Sequence, residues 1–176
     1  MPRAILKVLF TGAIALSLLL IPTLTASAMA AEFVPELAAI PGLSDLLAGD
    51  PPDLGVQNGK LMPCPDSPNC VVSQDADETH AIAPIQYTRD REAARELLIK
   101  VLGVVPRTKI VTQTDDYIRV AATSRIMGFV DDAEFYLPKD ESVIHMRSAA
   151  RLGESDLGVN RRRLEQIRLA LQDLGI

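Results

Sequence analysis

The sequence predicts an α+β fold: an antiparallel sheet of about five strands, two helices packed on one face, and an irregular N-terminal arm. Three observations carry this expectation. Between Lys109 and Ala150 the apolar residues alternate with polar ones in four short segments joined by short turns. Two further segments, one after Asp90 and one after Asp156, place their apolar residues at helical spacing instead. Prolines and glycines interrupt the chain between Glu32 and Leu61 too often for a long element to form there.

Residues 1–30 read as an export signal. Arg3 and Lys7 make a basic start, Val8 to Ile21 is an apolar run short for a membrane span, and Ala28-Met29-Ala30 has the small-x-small pattern of a cleavage site. Left uncut, the same run would serve as an anchor. No cysteine follows the run, which speaks against a lipoprotein. The lack of an arginine pair favours the general secretory route. The expected compartment is the periplasm or the thylakoid lumen.

The whole chain carries 18 Lys and Arg against 23 Asp and Glu. The leader holds two of the bases and none of the acids, which leaves 16 against 23. The excess lies early: residues 31–88 contain nine acids and one base, Lys60, whereas residues 89–176 contain fourteen acids and fifteen bases. Such a balance argues against nucleic acid as a partner. The sequence thus divides into a leader (1–30), an acidic arm (31–61) and one domain (62–176).

In the arm, Leu43 to Leu47 has room for one helical turn, and Leu54, Val56 and Leu61 are apolar enough to dock. The arm is either a linker or a segment lying across the domain. Cys64 and Cys70 follow, the only cysteines of the chain. In an exported protein a structural disulfide is the expected state. A ring of this size stabilises by about 2 kcal/mol. The spacing is not that of a C-x-x-C redox pair, although a redox role and free thiols stay open. Two cysteines and two distant histidines are too few for a zinc site.

Ile82 to Tyr87 reads as a short strand. Thr88 or Asp90 then caps a helix whose Ala94, Leu97, Leu98, Val101 and Leu102 share one face, and Gly103 and Pro106 stop it. The four strands come next, at Lys109–Gln113, Tyr117–Ser124, Phe129–Leu137 and Val143–Ala150, connected tightly enough for an antiparallel meander. Alternation puts Ile118, Val120, Ala122, Ala133, Phe135, Leu137, Ile144, Met146 and Ser148 toward the helices. The other face then carries Tyr117, Arg119, Asp132, Glu134, Tyr136, His145, Arg147 and Arg151. It is expected as a solvated lattice of cross-strand ion pairs, as a polar binding site, or as a face covered by the arm.

The last helix is expected from about Leu157 to Leu174, capped by Ser155 or Asp156, with Leu164, Ile167, Leu171 and Leu174 as its apolar stripe. Arg161, Arg162 and Arg163 crowd its first turns, where the helix dipole disfavours cations. Pairing with Asp132, Glu134 or Asp156, or an anionic partner at the helix end, would account for them.

Three stretches carry a resemblance. Cys64–Ser73 (C-P-D-S-P-N-C-V-V-S), Gly128–Phe135 (G-F-V-D-D-A-E-F) and Arg147–Arg163 (R-S-A-A-R-L-G-E-S-D-L-G-V-N-R-R-R) resemble, in order, the signatures of DUF1499, a bacterial and plastid family of unknown function. The resemblance extends from about Pro51 to the C-terminus. The family pattern has a second serine where Ala150 stands, so a hydroxyl-dependent role is not expected there. The resemblance implies no activity and no cofactor.

Catalytic signatures are absent: there is no G-x-S-x-G, zinc motif or P-loop. Ser148 and His145 lie three apart on a strand and so point to opposite faces. The candidate binding residues are Arg119, Asp132, Glu134, Arg147, Arg151, Asp156, Asn160 and Arg161, without metal or cofactor. The expected function is a non-enzymatic exported module that binds a partner or assists assembly. A small-ligand binder or hydrolase using the Arg/Asp/Glu face is the alternative. The partner would be a protein or a small anionic ligand, and peripheral membrane association stays open. A convergent pocket would favour the alternative, and an exposed apolar patch the module.

N-terminal sequencing of the exported protein should return Ala31 as the first residue. A chain recovered from membranes with Met1 in place would instead make the apolar run an anchor.

Overall fold

The computed structural model describes residues 43–176. The leader and its cleavage site lie outside the described residues, as does the arm up to Gly42. The first described element is a short helix, α1 (Leu43–Ala48), where the sequence leaves room for one turn.

Next comes a hairpin of two very short strands, β1 (Val56–Gln57) and β2 (Lys60–Leu61), where an irregular arm was expected. Its local cause is Asn58-Gly59. Both residues have positive φ, 53° and 75°, the backbone that a two-residue hairpin turn needs and that Asn-Gly readily supplies. Leu61 is buried and packs with Val72 and Tyr117, so this part of the arm docks on the domain.

Cys64 and Cys70 are disulfide-bonded, with Cα atoms 5.6 Å apart. Cys70 opens a strand absent from the expectation, β3 (Cys70–Val72), which pairs antiparallel with the edge of the last strand. β4 (Ile85–Gln86) pairs with the same strand further along. Helix α2 (Arg91–Leu102) begins at Asp90, whose carboxylate accepts from the Ala93 N–H at 3.0 Å. Its buried face is Ala94, Leu98, Val101 and Leu102.

The meander is as expected: β5 (Thr108–Gln113), β6 (Tyr117–Thr123), β7 (Val130–Tyr136) and β8 (Val143–Ala150) pair in sequence. The sheet runs β3-β8-β7-β6-β5, and β4 joins β8 to make six strands. The expected face of Ile118, Val120, Ala133, Phe135, Leu137, Ile144 and Met146 forms the main core with α2 and with α3 (Val159–Asp173), through Leu164, Ile167 and Leu171.

The start of α3 differs from expectation. The helix begins at Val159, and its cap is Gly158, whose φ of 76° is left-handed. Asp156 sits outside the helix, where its two oxygens accept from the N–H groups of Gly158 (2.8 Å) and Asn160 (2.7 Å). A carboxylate near the positive end of the helix dipole is favourable.

Asn160 is fully buried. Its side chain accepts from the Ser148 hydroxyl of β8 and donates to the Asn69 carbonyl at 3.1 Å, so one amide ties α3 to β8 and to the loop before β3. Asn160→Leu would strand those partners inside the protein, and a buried unsatisfied group costs about 1–3 kcal/mol. We expect a loss of about 2–4 kcal/mol in chemical denaturation, the sum of one such penalty and a lost hydrogen bond. A change below about 0.5 kcal/mol would show that the amide is dispensable.

Candidate functional site

The polar face of the sheet gathers most of the predicted site residues. Arg119 of β6 stands opposite Glu134 of β7, which stands opposite Arg147 of β8. Asp132, two residues before Glu134 on the same face, receives two guanidiniums. Arg151 grips both its oxygens, Nε to Oδ2 at 2.7 Å and Nη2 to Oδ1 at 3.1 Å. Arg119 Nε donates to Oδ1 at 2.9 Å. Glu134 accepts from the Tyr117 hydroxyl at 2.8 Å and from Arg147 Nη1 at 3.1 Å.

This lattice is not a solvated surface. Asp132, Glu134 and Arg147 are all buried, and Glu134 has no exposed area. The chain before the domain covers it: Pro52 and Gly49 offer carbonyls to Arg119 Nη1 (3.2 Å) and Arg151 Nη1 (3.3 Å). Solvent-exposed pairs at about 0–1 kcal/mol each therefore do not describe these contacts. Here the charges are desolvated, and each depends on its partner. Burial pushes the Glu134 carboxyl above its ordinary value, and the Arg147 charge pulls it back. Burial also raises Tyr117, and the neighbouring Glu134 charge adds to the shift.

Three guanidiniums face two carboxylates in this lattice. Arg147 Nε is buried and has no hydrogen-bond partner among the described residues. A cleft of about 130 Å³ lies beside it, lined by Asp132, Arg147 and Arg151 from the sheet and by Asp50, Pro52 and Leu54 from the arm. Arg119 and Glu134 do not line it, so the cleft reaches only part of the predicted convergence.

The remaining predicted residues stand elsewhere. Asp156 and Asn160 organise the start of α3, on the opposite side of the sheet. Arg161 donates to the carbonyls of Ala81 (2.6 Å) and Thr79 (2.9 Å). Arg162 turns to the Leu157 carbonyl at 2.8 Å, and Arg163 pairs with Asp131 at 2.5 Å. None of the three contacts Asp132, Glu134 or Asp156, contrary to the pairings expected. Asp131 alternates with Asp132 and so faces the helices; burial raises its carboxyl and Arg163 opposes the shift. Neighbouring acids of one strand thus serve opposite faces.

His145 has a serine neighbour after all, but from β3's continuation. Ser73 Oγ lies 3.2 Å from His145 Nδ1 and already accepts from the Met146 N–H at 2.8 Å. Glu141 stands 3.9 Å from the other ring nitrogen, beyond hydrogen-bond reach. The arrangement extends the β3–β8 pairing and opens on none of the clefts described here. Among the described residues no three His, Cys, Asp or Glu side chains come together as metal ligands would.

A feature overlooked in the sequence lies at one end of the sheet. The register aligns Thr108 with Ala122, Thr123 with Val130 and Asp131 with Ala150. The loops 103–107, 124–129 and 151–158 therefore leave at the same end. They carry Val104, Ile126, Met127, Phe129, Leu152 and Leu157, all exposed, with Ile126 at 66% and Leu157 at 84%. The signal was legible: R-I-M-G-F between two strands places three large apolar residues where a turn is ordinarily polar.

An α+β sheet protein with an arm strapped over a buried Arg/Asp/Glu lattice is the class this geometry defines. Residues 60–171 match the family model described as "Protein of unknown function (DUF1499)", and the chain belongs to that family. No curated protein and no solved structure matches it.

Arg147→Met leaves Glu134 buried beside a single donor, and breaking a buried pair costs about 3–5 kcal/mol. The folded-state value of Glu134 is already raised, so the folded protein holds the proton more tightly than the unfolded chain. Stability then falls as pH rises from the free-glutamate value through the folded one. Without Arg147 that fall should steepen. Denaturation series across the acidic to neutral range should show the Arg147→Met deficit largest at neutral pH and smaller in acid. A deficit independent of pH would mean that Glu134 does not need its partner.

Proposed function

We propose that the protein is an exported, non-enzymatic interaction module of the periplasm or thylakoid lumen, which docks through the loop end of its sheet. The observation that carries this reading is the gathering of exposed apolar side chains on loops 103–107, 124–129 and 151–158. Exposed apolar side chains gathered at one end of a fold mark interaction sites, as singly scattered ones do not. The lattice supports the same reading from the other direction. Its acids are already bonded to arginine, and Arg147 opposes the upward shift that burial gives Glu134, which favours ion pairing over proton transfer.

A small-ligand site is the second reading. Arg147 Nε, buried and unpartnered beside the cleft of about 130 Å³, favours it. Lysine would keep the charge at position 147 and lose the planar fork. Retained binding in Arg147→Lys, at unchanged melting temperature, would remove the lattice from the functional account.

The docking reading is tested on the loop. Ile126→Asp and Met127→Asp change side chains that are 66% and 45% exposed, so stability should move by no more than about 0.5 kcal/mol for Ile126 and about 1 kcal/mol for Met127. Recovery of the protein with its envelope fraction should drop sharply in both. Full recovery in two folded variants would show that the loop end is not the docking surface.

A further inference from the structure

We propose that the partner of this loop end is a membrane surface rich in anionic lipid; this rests on the docking reading above. Four features point there.

The apolar residues sit on loop tips. Ile126, Met127 and Phe129 project from one hairpin turn, and Leu152 and Leu157 from the neighbouring loop. Separate side chains of this kind can enter the acyl boundary while the backbone of their loops stays among headgroups.

Cations surround them. Arg107, Lys109, Arg125 and Arg162 belong to this end, and none forms an ion pair with a carboxylate among the described residues. Acids share this end: Glu154 and Asp156 in loop 151–158, and exposed Asp50 and Asp66 in the segments packed beside it. The Asp156 oxygens are already bonded to the Gly158 and Asn160 N–H groups. A groove of about 430 Å³ runs between loop 103–107, the end of β6 with Ser124 and Arg125, and the first turns of α3; Arg107, Arg125 and Arg162 lie along it and no acid lines it. Each basic residue near an anionic bilayer adds about 1 kcal/mol of attraction.

The opposite end is richer in acids: its turns carry Asp115, Asp116, Asp140 and Glu141, with Lys139 between them and Arg91 paired to Asp115. A chain with a net charge of −5 is repelled by an anionic surface as a whole, so its own asymmetry must orient it. The groove, whose charged lining is basic, is the surface that faces the lipid.

The N-terminal segment also enters at this end. Gly49 lies against Leu152: a Cβ built on it would come 2.9 Å from Leu152 Cγ. Exposed Leu46 precedes it in α1.

The test is flotation of the full exported chain with vesicles of phosphatidylcholine, alone or mixed with phosphatidylglycerol. Wild type should partition to the mixed vesicles, and added salt should weaken it, since exposed charges are screened. Arg125→Ala should lower partitioning about fivefold, the equivalent of one basic residue at the surface. Ile126→Asp and Met127→Asp should each lower it about tenfold or more. If the leader is retained, it binds both vesicle types, and the comparison between vesicles and between variants still reads the loop end. Equal partitioning to both vesicle types by wild type, Arg125→Ala and Ile126→Asp would overturn the proposal. So would an Ile126-dependent protein complex with no preference for phosphatidylglycerol, although the docking reading would then survive. If neither vesicles nor envelope recovery responds to Ile126 and Met127, both readings fail together.

Discussion

Everything on the polar side of this protein depends on how β7 neutralises Asp132 and Glu134. β7 is flanked by β6 and β8, and six of its seven residues are buried. Helices cover one face and the arm covers the other. A strand buried on both faces ordinarily reads as continuous Val, Ile and Leu. This one carries three acids in five residues, and an unpaired buried carboxylate would cost several kcal/mol. Each neighbouring strand therefore supplies arginine at the register position that reaches it: Arg119 from β6, Arg147 and Arg151 from β8. Such a lattice is poor evidence of high stability, because desolvation offsets most of the Coulomb gain. It does discriminate against a one-residue slip, which would carry the β8 arginines to the helix face and leave Asp132 with Arg119 alone and Glu134 with only the Tyr117 hydroxyl.

The helix side solves the matching problem for Asp131. Alternation turns this acid toward α3, where Arg163 meets it. The arginine run that breaks the helix-dipole preference is thereby explained without an external anion: Arg163 takes the acid of β7, Arg161 takes carbonyls of the segment before β4, and Arg162 takes a carbonyl of its own loop. Asn160 and Asp156 complete the junction. One stretch of chain, from β8 into α3, thus holds the sheet, the segment 69–84 and the helix in a fixed relation.

The sequence was legible where periodicity speaks and silent where shape decides. The meander, the faces of its strands, α2 with its Asp90 cap and the stripe of α3 all follow from spacing. The pairing of Cys64 with Cys70 followed from the expected compartment and from count. Asn58-Gly59 carried a hairpin signal that was masked by the glycines and prolines around it. β3 has three residues and no alternation to show, because both its faces are covered. Alternation put Arg119, Asp132, Glu134, Arg147 and Arg151 on one face correctly, but it does not say what lies above a face. Whether those charges meet water was settled by Gly49, Pro52 and Leu61, residues whose own pattern gives no hint of where they fold back. Burial of a polar face is a tertiary fact, and local spacing does not contain it.

The same reasoning separates the two surfaces. A buried charge lattice gains specificity from being closed: every opening that let water in would weaken the pairs and remove the reason for their register. The arm and the β1–β2 hairpin exist in this position to close it. The loop end shows the opposite economy. Its most exposed apolar side chains, Val104, Ile126 and Leu157, stand mostly in water. Leu157 even adopts a left-handed φ of 53°, a conformation that costs a branched side chain about 1–3 kcal/mol and that the Asp156–Asn160 turn must hold in place. Internal packing gains nothing from Leu157, since its side chain is in water. Asparagine or glycine would suit that backbone better. A large apolar residue there fits the docking proposed for this end, where Ile126, Met127 and Phe129 also leave the sheet.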